Sequence, residues 1–184
     1  MTSRLVVNSV RHTGASSDAL TLSSDGKVAF PNNTGNILQV KQTFKQDTQS
    51  ITSGSSDYVL INGLGTTMTL SSASNKILIN LSISFAQSAN NYAAFRLYDG
   101  SSAITAAQST GAGVYDTSII RYVDTEMANS YLGCSFSYLY APGDTNAHTI
   151  NLYGNPFNTT LYINRSNNTN YYNTSSMTLM EVAA

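Results

Sequence analysis

Residues 76–85 read Lys-Ile-Leu-Ile-Asn-Leu-Ser-Ile-Ser-Phe. Every second residue from Ile77 to Phe85 is apolar. The polar residues Asn80, Ser82 and Ser84 occupy the positions between them from Ile79 onward. Successive side chains of a β-strand point to opposite faces, so a strand places this apolar series on one face, and a helix would scatter it around its circumference. The segment therefore predicts a strand with one face buried in a core.

The same alternation recurs along the rest of the chain, between clusters of Gly, Asn, Pro and Ser. Many short strands joined by short turns predict an all-β protein, with an antiparallel β-sandwich or jelly roll as its architecture. No helical stripe competes with this pattern, because the Ala-rich stretch 103–107 is short and interrupted by Thr. The other predicted strands are Ile37–Phe44, Asp57–Leu64, Thr67–Leu70, Ala93–Asp99, Thr117–Val123, Tyr131–Tyr140, Thr149–Tyr153, Thr160–Asn164 and Ser176–Val182.

The first 35 residues form a separate β-patterned segment. Asp25-Gly26 is a two-residue hairpin signal, and the run from Pro31 to Gly35 breaks the pattern. Because such a short segment cannot bury a core alone, we predict an attachment and trimerisation segment over 1–35, completed by neighbours, and a head domain over 36–184. The predicted strands are Leu5–Val10, Leu20–Leu22 and Val28–Phe30, and the apolar side chains available for attachment are Leu5, Val7, Leu20, Leu22, Val28 and Phe30.

The composition narrows the function classes. With 184 residues the chain has room for one main domain, and its 9 basic and 10 acidic residues give a net charge of -1. A protein with so few cations has little means of neutralising phosphates, so nucleic acid is not an expected partner. The sequence contains no apolar run long enough for a membrane helix and no export-signal pattern, which predicts a soluble protein without membrane insertion.

Five fragments of the chain resemble small fibre-type virion proteins of tailed phages, particularly marine and cyanobacterial ones. The resemblance covers most of the chain and consists of packing and turn patterns. The fragments are Ile37-Leu38-Gln39-Val40, Ser74-Asn75-Lys76-Ile77-Leu78-Ile79, Arg96-Leu97-Tyr98-Asp99-Gly100, Tyr162-Ile163-Asn164-Arg165-Ser166 and Ser175-Ser176-Met177-Thr178-Leu179-Met180-Glu181-Val182.

The resemblance implies a homotrimer in which a short N-terminal β segment precedes a jelly-roll (TNF-like) head. It implies a virion surface protein, made in the cytoplasm of the bacterial host, that acts as a tail or head fibre and contacts tail, baseplate or capsid proteins. Host-receptor or glycan binding by the head is one expectation, and a capsid decoration or cement trimer is the alternative that the short chain favours. A free carbohydrate-binding lectin module is a second alternative, and a glycan-cleaving enzyme is a weaker one.

No residue pattern predicts catalysis. His12 and His148 fall in predicted loops without a Ser, Cys or Asp at a catalytic spacing, and Cys134 lies alone in an apolar strand, where a thiol packs as a small hydrophobe. One Cys and two His cannot supply a thiol-based zinc site or a disulfide. We therefore expect a non-enzymatic protein without catalytic residues, metal or cofactor.

The tyrosines divide by position. Tyr98 and Tyr138 fall in strands and are predicted to belong to the core, whereas Tyr115, Tyr171 and Tyr172 fall in loops. The loop set is the predicted glycan contact, since aromatic rings can stack on sugars while their hydroxyls stay in water. Packing of the same rings at a subunit interface is the alternative. Few Lys residues fall in the predicted strands, where their charge would oppose pairing of exposed sheet edges with other chains, and this also favours a closed oligomer.

Overall fold

A computed structural model describes residues 7–22, 24, 26, 28–29, 35–54, 57–108, 118–123, 130–166 and 172–184. Apart from one 3-10 turn, the regular structure in these ranges is all β-strand. The strands in these ranges are β1 Ser9–Val10, β2 Leu20–Leu22, β3 Val28–Ala29, β4 Ile37–Lys45, β5 Gln49–Thr52, β6 Val59–Leu60, β7 Thr66–Thr69, β8 Lys76–Gln87, β9 Asn91–Asp99, β10 Ser102–Ala103, β11 Ile119–Val123, β12 Leu132–Tyr140, β13 Ala147–Asn155, β14 Thr160–Ile163 and β15 Ser175–Val182.

One six-stranded sheet, the front sheet, is built around β8. Strand β12 pairs with β8 from residue 77 to residue 85, and β15 and β14 occupy the opposite edge of β8 in succession. Strand β4 continues the sheet beyond β15, as β5 does beyond β14. The front sheet therefore has four strand positions in the order β4/β5, β15/β14, β8 and β12.

The back sheet is built in the same way around β9 and β13, which pair with each other. Strands β6 and β7 share the far edge of β13, and β10 and β11 share the far edge of β9. Its four positions follow the order β6/β7, β13, β9 and β10/β11. All pairings in both sheets are antiparallel.

The order in which the chain visits the two sheets is that of a jelly roll. Numbering the eight strand positions along the chain gives 1-8-3-6 in the front sheet and 2-7-4-5 in the back sheet. This is the double-sheet arrangement of two interlocked Greek keys. The predicted all-β antiparallel sandwich is thus confirmed, and its jelly-roll form follows from the strand order.

The core lies between the two sheets and follows the alternation in β8. Ile77, Ile79, Leu81, Ile83 and Phe85 all point inward and are at most 3% exposed. Burial of each side chain contributes about 1.5–3 kcal/mol relative to exposure. Phe85 meets Phe95 of the back sheet edge to face, with ring centroids 5.1 Å apart, an arrangement that aromatic pairs prefer.

The N-terminal strands form a third, small sheet in the order β1-β2-β3. Val10, Leu22 and Val28 are 51%, 38% and 49% exposed. Its described strand pairings are all internal. These three apolar side chains of the small sheet are therefore not buried.

The strand predictions fail at several places for local reasons. Only Val59–Leu60 of the predicted strand 57–64 pairs as a strand, and a turn in which Gly63 has a φ of 74° follows it. Residues 7–8 lie outside β1, while Leu5 and Phe30 lie outside the described residues. The short strands β5 and β10 were not predicted. Residues 105–107 form one 3-10 turn, and no α-helix occurs in the described ranges.

Candidate functional site

The outward face of the front sheet carries a row of apolar side chains where a solvated sheet would be polar. Strand pairing aligns Val40 with Met180, Met180 with Leu78, and Leu78 with Leu139. These residues alternate with the inward-facing core residues, so all four point away from the core. We call Val40, Met180, Leu78 and Leu139 the apolar band, which crosses the sheet from edge strand β4 to edge strand β12.

The two ends of the apolar band are its most exposed parts. Val40 is 56% exposed and Leu139 is 44% exposed, whereas Leu78 and Met180 between them are half-buried. Ile37 and Leu38 extend the apolar surface along β4, at 53% and 41% exposure. An apolar surface that reaches both edges of a sheet is unusual for a monomer and typical of an interface.

The row next to the apolar band is polar but uncharged. Gln42 donates a hydrogen bond to Thr178 Oγ1 at 2.8 Å, and Ser137 donates to Asn80 Oδ1 at 2.7 Å. These pairs satisfy each other across the strands and leave no charge that packing would have to desolvate. On the other side of the band, Lys76 is exposed beside Val182. The face therefore combines an apolar centre with a polar margin, which is neutral on one side and carries Lys76 on the other, as protein interfaces do.

Edge strand β12 adds a second row that is only partly covered. Leu132, Cys134, Phe136, Tyr138 and Tyr140 point toward the core and pack against it, yet all remain half-buried. The rings of Phe136 and Tyr138 lie nearly parallel, at an interplanar angle of 11°. Cys134 thus occupies the packing position that the sequence predicted, and Tyr138 belongs to the core as expected.

Tyr98 does not belong to the core, contrary to the prediction. It lies on the outward face of β9, because its neighbour Leu97 faces inward and is fully buried. The ring of Tyr98 instead contacts the ring of Tyr153 on β13, with centroids 4.0 Å apart. A single Tyr in a strand does not reveal its face when the flanking residues are of mixed polarity.

The predicted glycan residues are not assembled into a site by the described residues. Tyr172 is 67% exposed and pairs with Arg165 through an isolated β-bridge. Tyr115 and Tyr171 lie outside the described residues. Of the predicted attachment residues, Val7 and Leu20 are half-buried, and Leu22 and Val28 are exposed.

His148 lies in β13 rather than in a loop, and it is buried. Its Nδ1 is 2.6 Å from Asp99 Oδ2, and its Nε2 is 3.1 Å from Asp144 Oδ1. Tyr140 of the front sheet donates to the same Asp99 oxygen at 3.0 Å. Tyr140, Asp144 and His148 lie close together along the chain, but Asp99 on β9 is distant, and no local pattern places its carboxylate beside them. His12 lies outside the strands, in a loop as predicted, and its Nδ1 accepts from Gly14 N.

The electrostatics of this cluster follow from its contacts. Burial, together with the hydrogen bond to Asp99, raises the pKa of Tyr140 to about 12. A hydrogen bond from the Asn146 backbone lowers the pKa of Asp144, and His148 lowers it further. The cluster links the end of β9 to the end of β12 and to the turn between β12 and β13, so it stabilises one end of the sandwich. Within the described ranges, no group of three His, Cys, Asp or Glu residues could hold a metal ion.

Glu181 is a buried carboxylate that sequence reasoning missed. It lies on the inward face of β15 at 1% exposure, and its oxygens accept from Gln39 Nε2, Asn75 Nδ2, Ser71 N and Ser71 Oγ at 2.6–2.7 Å. Burial alone would raise the pKa of Glu181, but the hydrogen bonds from Asn75, Gln39 and Ser71 outweigh it and hold the pKa below its usual value. The carboxylate thus ties β4 and the turn after β7 to β15.

We expect the substitution Glu181→Gln to lower the free energy of unfolding by about 2–3 kcal/mol at pH 7, because an amide turns one acceptor into a donor that faces donors. Since the folded pKa is depressed, the wild-type contribution is present above the ordinary Glu value of 4.5 and lost as pH falls through the folded pKa. Urea unfolding from pH 7 to pH 3 should show the gap between the two proteins closing. Asp57→Asn, at an exposed carboxylate, is the control, and a constant gap would contradict this account.

Comparison with known proteins gives structural likeness only. No family model matches the sequence, and no curated protein matches it. Among solved structures, a chain from the structure of infectious bursal disease virus, Gx strain, is 14% identical with a TM-score of 0.33, over 88% of this chain and 34% of that one. A chain of the VP2 subviral particle of infectious bursal disease virus is 11% identical with the same score, over 86% and 40%.

A chain from the Gt strain of the same virus is 12% identical, with a TM-score of 0.33 over 96% of this chain and 41% of that one. The present chain thus spans between one third and about two fifths of the length of these chains. A TM-score this low supports no conclusion about function. The jelly-roll assignment depends only on the strand order of this chain. Among the described residues, no helix is long and apolar enough to cross a membrane.

Proposed function

We propose that this chain is a structural protein of a phage particle, a fibre-like surface protein that assembles as a homotrimer through its front sheet. The observation that carries the proposal is the apolar band, which presents apolar side chains across four paired strands and leaves its two ends most exposed. The resemblance of the five sequence fragments to small phage fibre proteins supports the same function.

A cyclic assembly suits the placement of these exposed residues. The apolar surface has two different ends, with Ile37, Leu38 and Val40 on β4 and Leu139 on β12. A heterologous contact that joins the β4 end of one subunit to the β12 end of the next closes into a ring when the rotation allows it. Three subunits around one axis would bring the three front sheets together and leave the three back sheets outward.

The small N-terminal sheet supports an attachment role within this proposal. It joins the head where Gly35 N donates to Ala183 O at 2.7 Å and Ala183 N donates to Asn36 O at 2.9 Å. These bonds fix the start of β4 beside the end of β15, at the edge of the apolar surface. The exposed Val10, Leu22 and Val28 of the small sheet need a partner, and tail, baseplate or capsid proteins are the proposed ones.

The proposal is tested on purified particles of the phage that encodes the chain. We expect an antibody to the head to label the particle surface in electron micrographs, at the tail for a tail fibre and at the capsid for a head fibre or cement trimer. Protein recovered only in the particle-free fraction would contradict the virion role and favour a free lectin module.

A further inference from the structure

The back sheet carries a second surface feature, on the face of the sandwich opposite to the apolar band. The outward-facing Tyr98 and Tyr153 contact each other across β9 and β13 at an interplanar angle of 33°. Beside them, the guanidinium carbon of Arg96 lies 4.0 Å from the centre of the Tyr58 ring. We call Tyr58, Arg96, Tyr98 and Tyr153, with Asn151, the tyrosine platform.

Every member of the tyrosine platform is half-buried, so each combines a fixed position with an accessible surface. The strand register places Tyr98 opposite Asn151 and Arg96 opposite Tyr153. Asn151 is held by a hydrogen bond from its Nδ2 to Gly100 O at 3.2 Å. Rigid sheet strands therefore present apolar rings beside planar polar groups, with little conformational entropy to lose on binding.

Further polar groups lie at the margin of the tyrosine platform. Thr67 and Thr149 form a hydroxyl pair with oxygens 2.8 Å apart on the neighbouring strands. A ligand that suits these groups must offer a flat apolar surface to the rings and hydroxyls to the amide, the guanidinium and the threonines. A pyranose sugar has both features, because its ring carbons carry a face of C–H groups and its rim carries hydroxyls.

We propose that the tyrosine platform is a glycan-binding site that recognises neutral hexose units of a bacterial surface polysaccharide. The inference goes beyond the proposed virion role and rests on it, and it gives a location to the expected receptor or glycan binding of the head. The position supports the assignment, since a trimer packed through the apolar band leaves the opposite face of each sandwich pointing outward. The site differs from the predicted set of Tyr115, Tyr171 and Tyr172.

The experiment uses the full chain on a printed array of bacterial surface polysaccharides. We expect wild-type protein to bind neutral polysaccharides on the array, and Tyr98→Ala and Tyr153→Ala each to lower the binding at least about tenfold. Tyr98→Phe keeps the ring and should retain binding, whereas a merely structural tyrosine pair would leave array binding unchanged in the Ala variants. Tyr92→Ala is the matched control at an exposed tyrosine of β9 outside the tyrosine platform, and it should bind like wild type.

Two outcomes would overturn the inference: no binding of wild-type protein to any neutral polysaccharide, or binding that survives both Ala substitutions. If the Ala variants fail to fold, Asn151→Ala leaves both rings in place and is expected to weaken binding as well, and unchanged binding by that variant would also overturn it. The mass and particle labelling of each folded variant are measured alongside. A variant that loses glycan binding but keeps its oligomeric mass and its place on the particle would show that the glycan site and the proposed virion role are separate.

Discussion

Placing a carboxylate at either end of the apolar band should convert the proposed trimer into folded monomers. In Val40→Asp and Leu139→Asp the new charge lies on a surface that is exposed in the single subunit, so the subunit itself loses little stability. In the trimer the same charge is buried without a partner, which costs about 3–5 kcal/mol per contact. Association should therefore weaken by more than about a hundredfold, and light scattering at micromolar concentration should give the mass of one chain.

The control for these variants is Val59→Asp, which places the same charge at an exposed valine of the back sheet. We expect that variant to keep the mass of the wild-type protein. All three variants should retain the circular dichroism spectrum of a β-protein. If Val40→Asp and Leu139→Asp stay associated, the apolar band is not the subunit interface.

Removal of residues 1–34 should abolish incorporation into particles while the head remains folded. The jelly-roll core draws on residues from Ile51 onward, and none of its buried members lies in the small sheet. Cutting before Gly35 keeps the hydrogen bond from Gly35 N to Ala183 O. Particles assembled with the shortened chain, in place of the full chain, should carry no label from an antibody to the head.

The matched control for this truncation is Leu22→Ser with Val28→Ser in the full chain, which removes two exposed apolar side chains and leaves the segment in place. We expect that variant to reduce particle labelling, since the attachment surface loses apolar area. Labelling of the truncated protein at wild-type level would place the docking surface on the head instead.

The fold could be predicted from the sequence because its strongest signal is local. The alternation from Ile77 to Phe85 depends on neighbouring residues only, and it appears unchanged as the buried face of β8. Strand pairing was not predictable in this way. The jelly-roll order depends on contacts between segments as distant as β4 and β15, which no local pattern encodes.

The candidate surfaces were harder to predict than the fold. Leu78 interrupts the polar face of β8 as the middle residue of an apolar triplet, and this signal becomes meaningful only once the register aligns it with Met180 and Leu139. The contact of Tyr98 with Tyr153 likewise joins residues 55 positions apart. Glu181 is buried with partners on β4 and in the turn after β7, and His148 contacts Asp99 on β9, so local patterns give no indication of their burial.

The mass of the wild-type protein in solution shows whether the proposed trimer exists, because that trimer would be held together through the apolar band. We predict about 59 kDa by light scattering at micromolar concentration, three times the 19.7 kDa of one chain. A mass of 19.7 kDa at that concentration would contradict the account, since the exposed row from Val40 to Leu139 would then have no second copy to cover it.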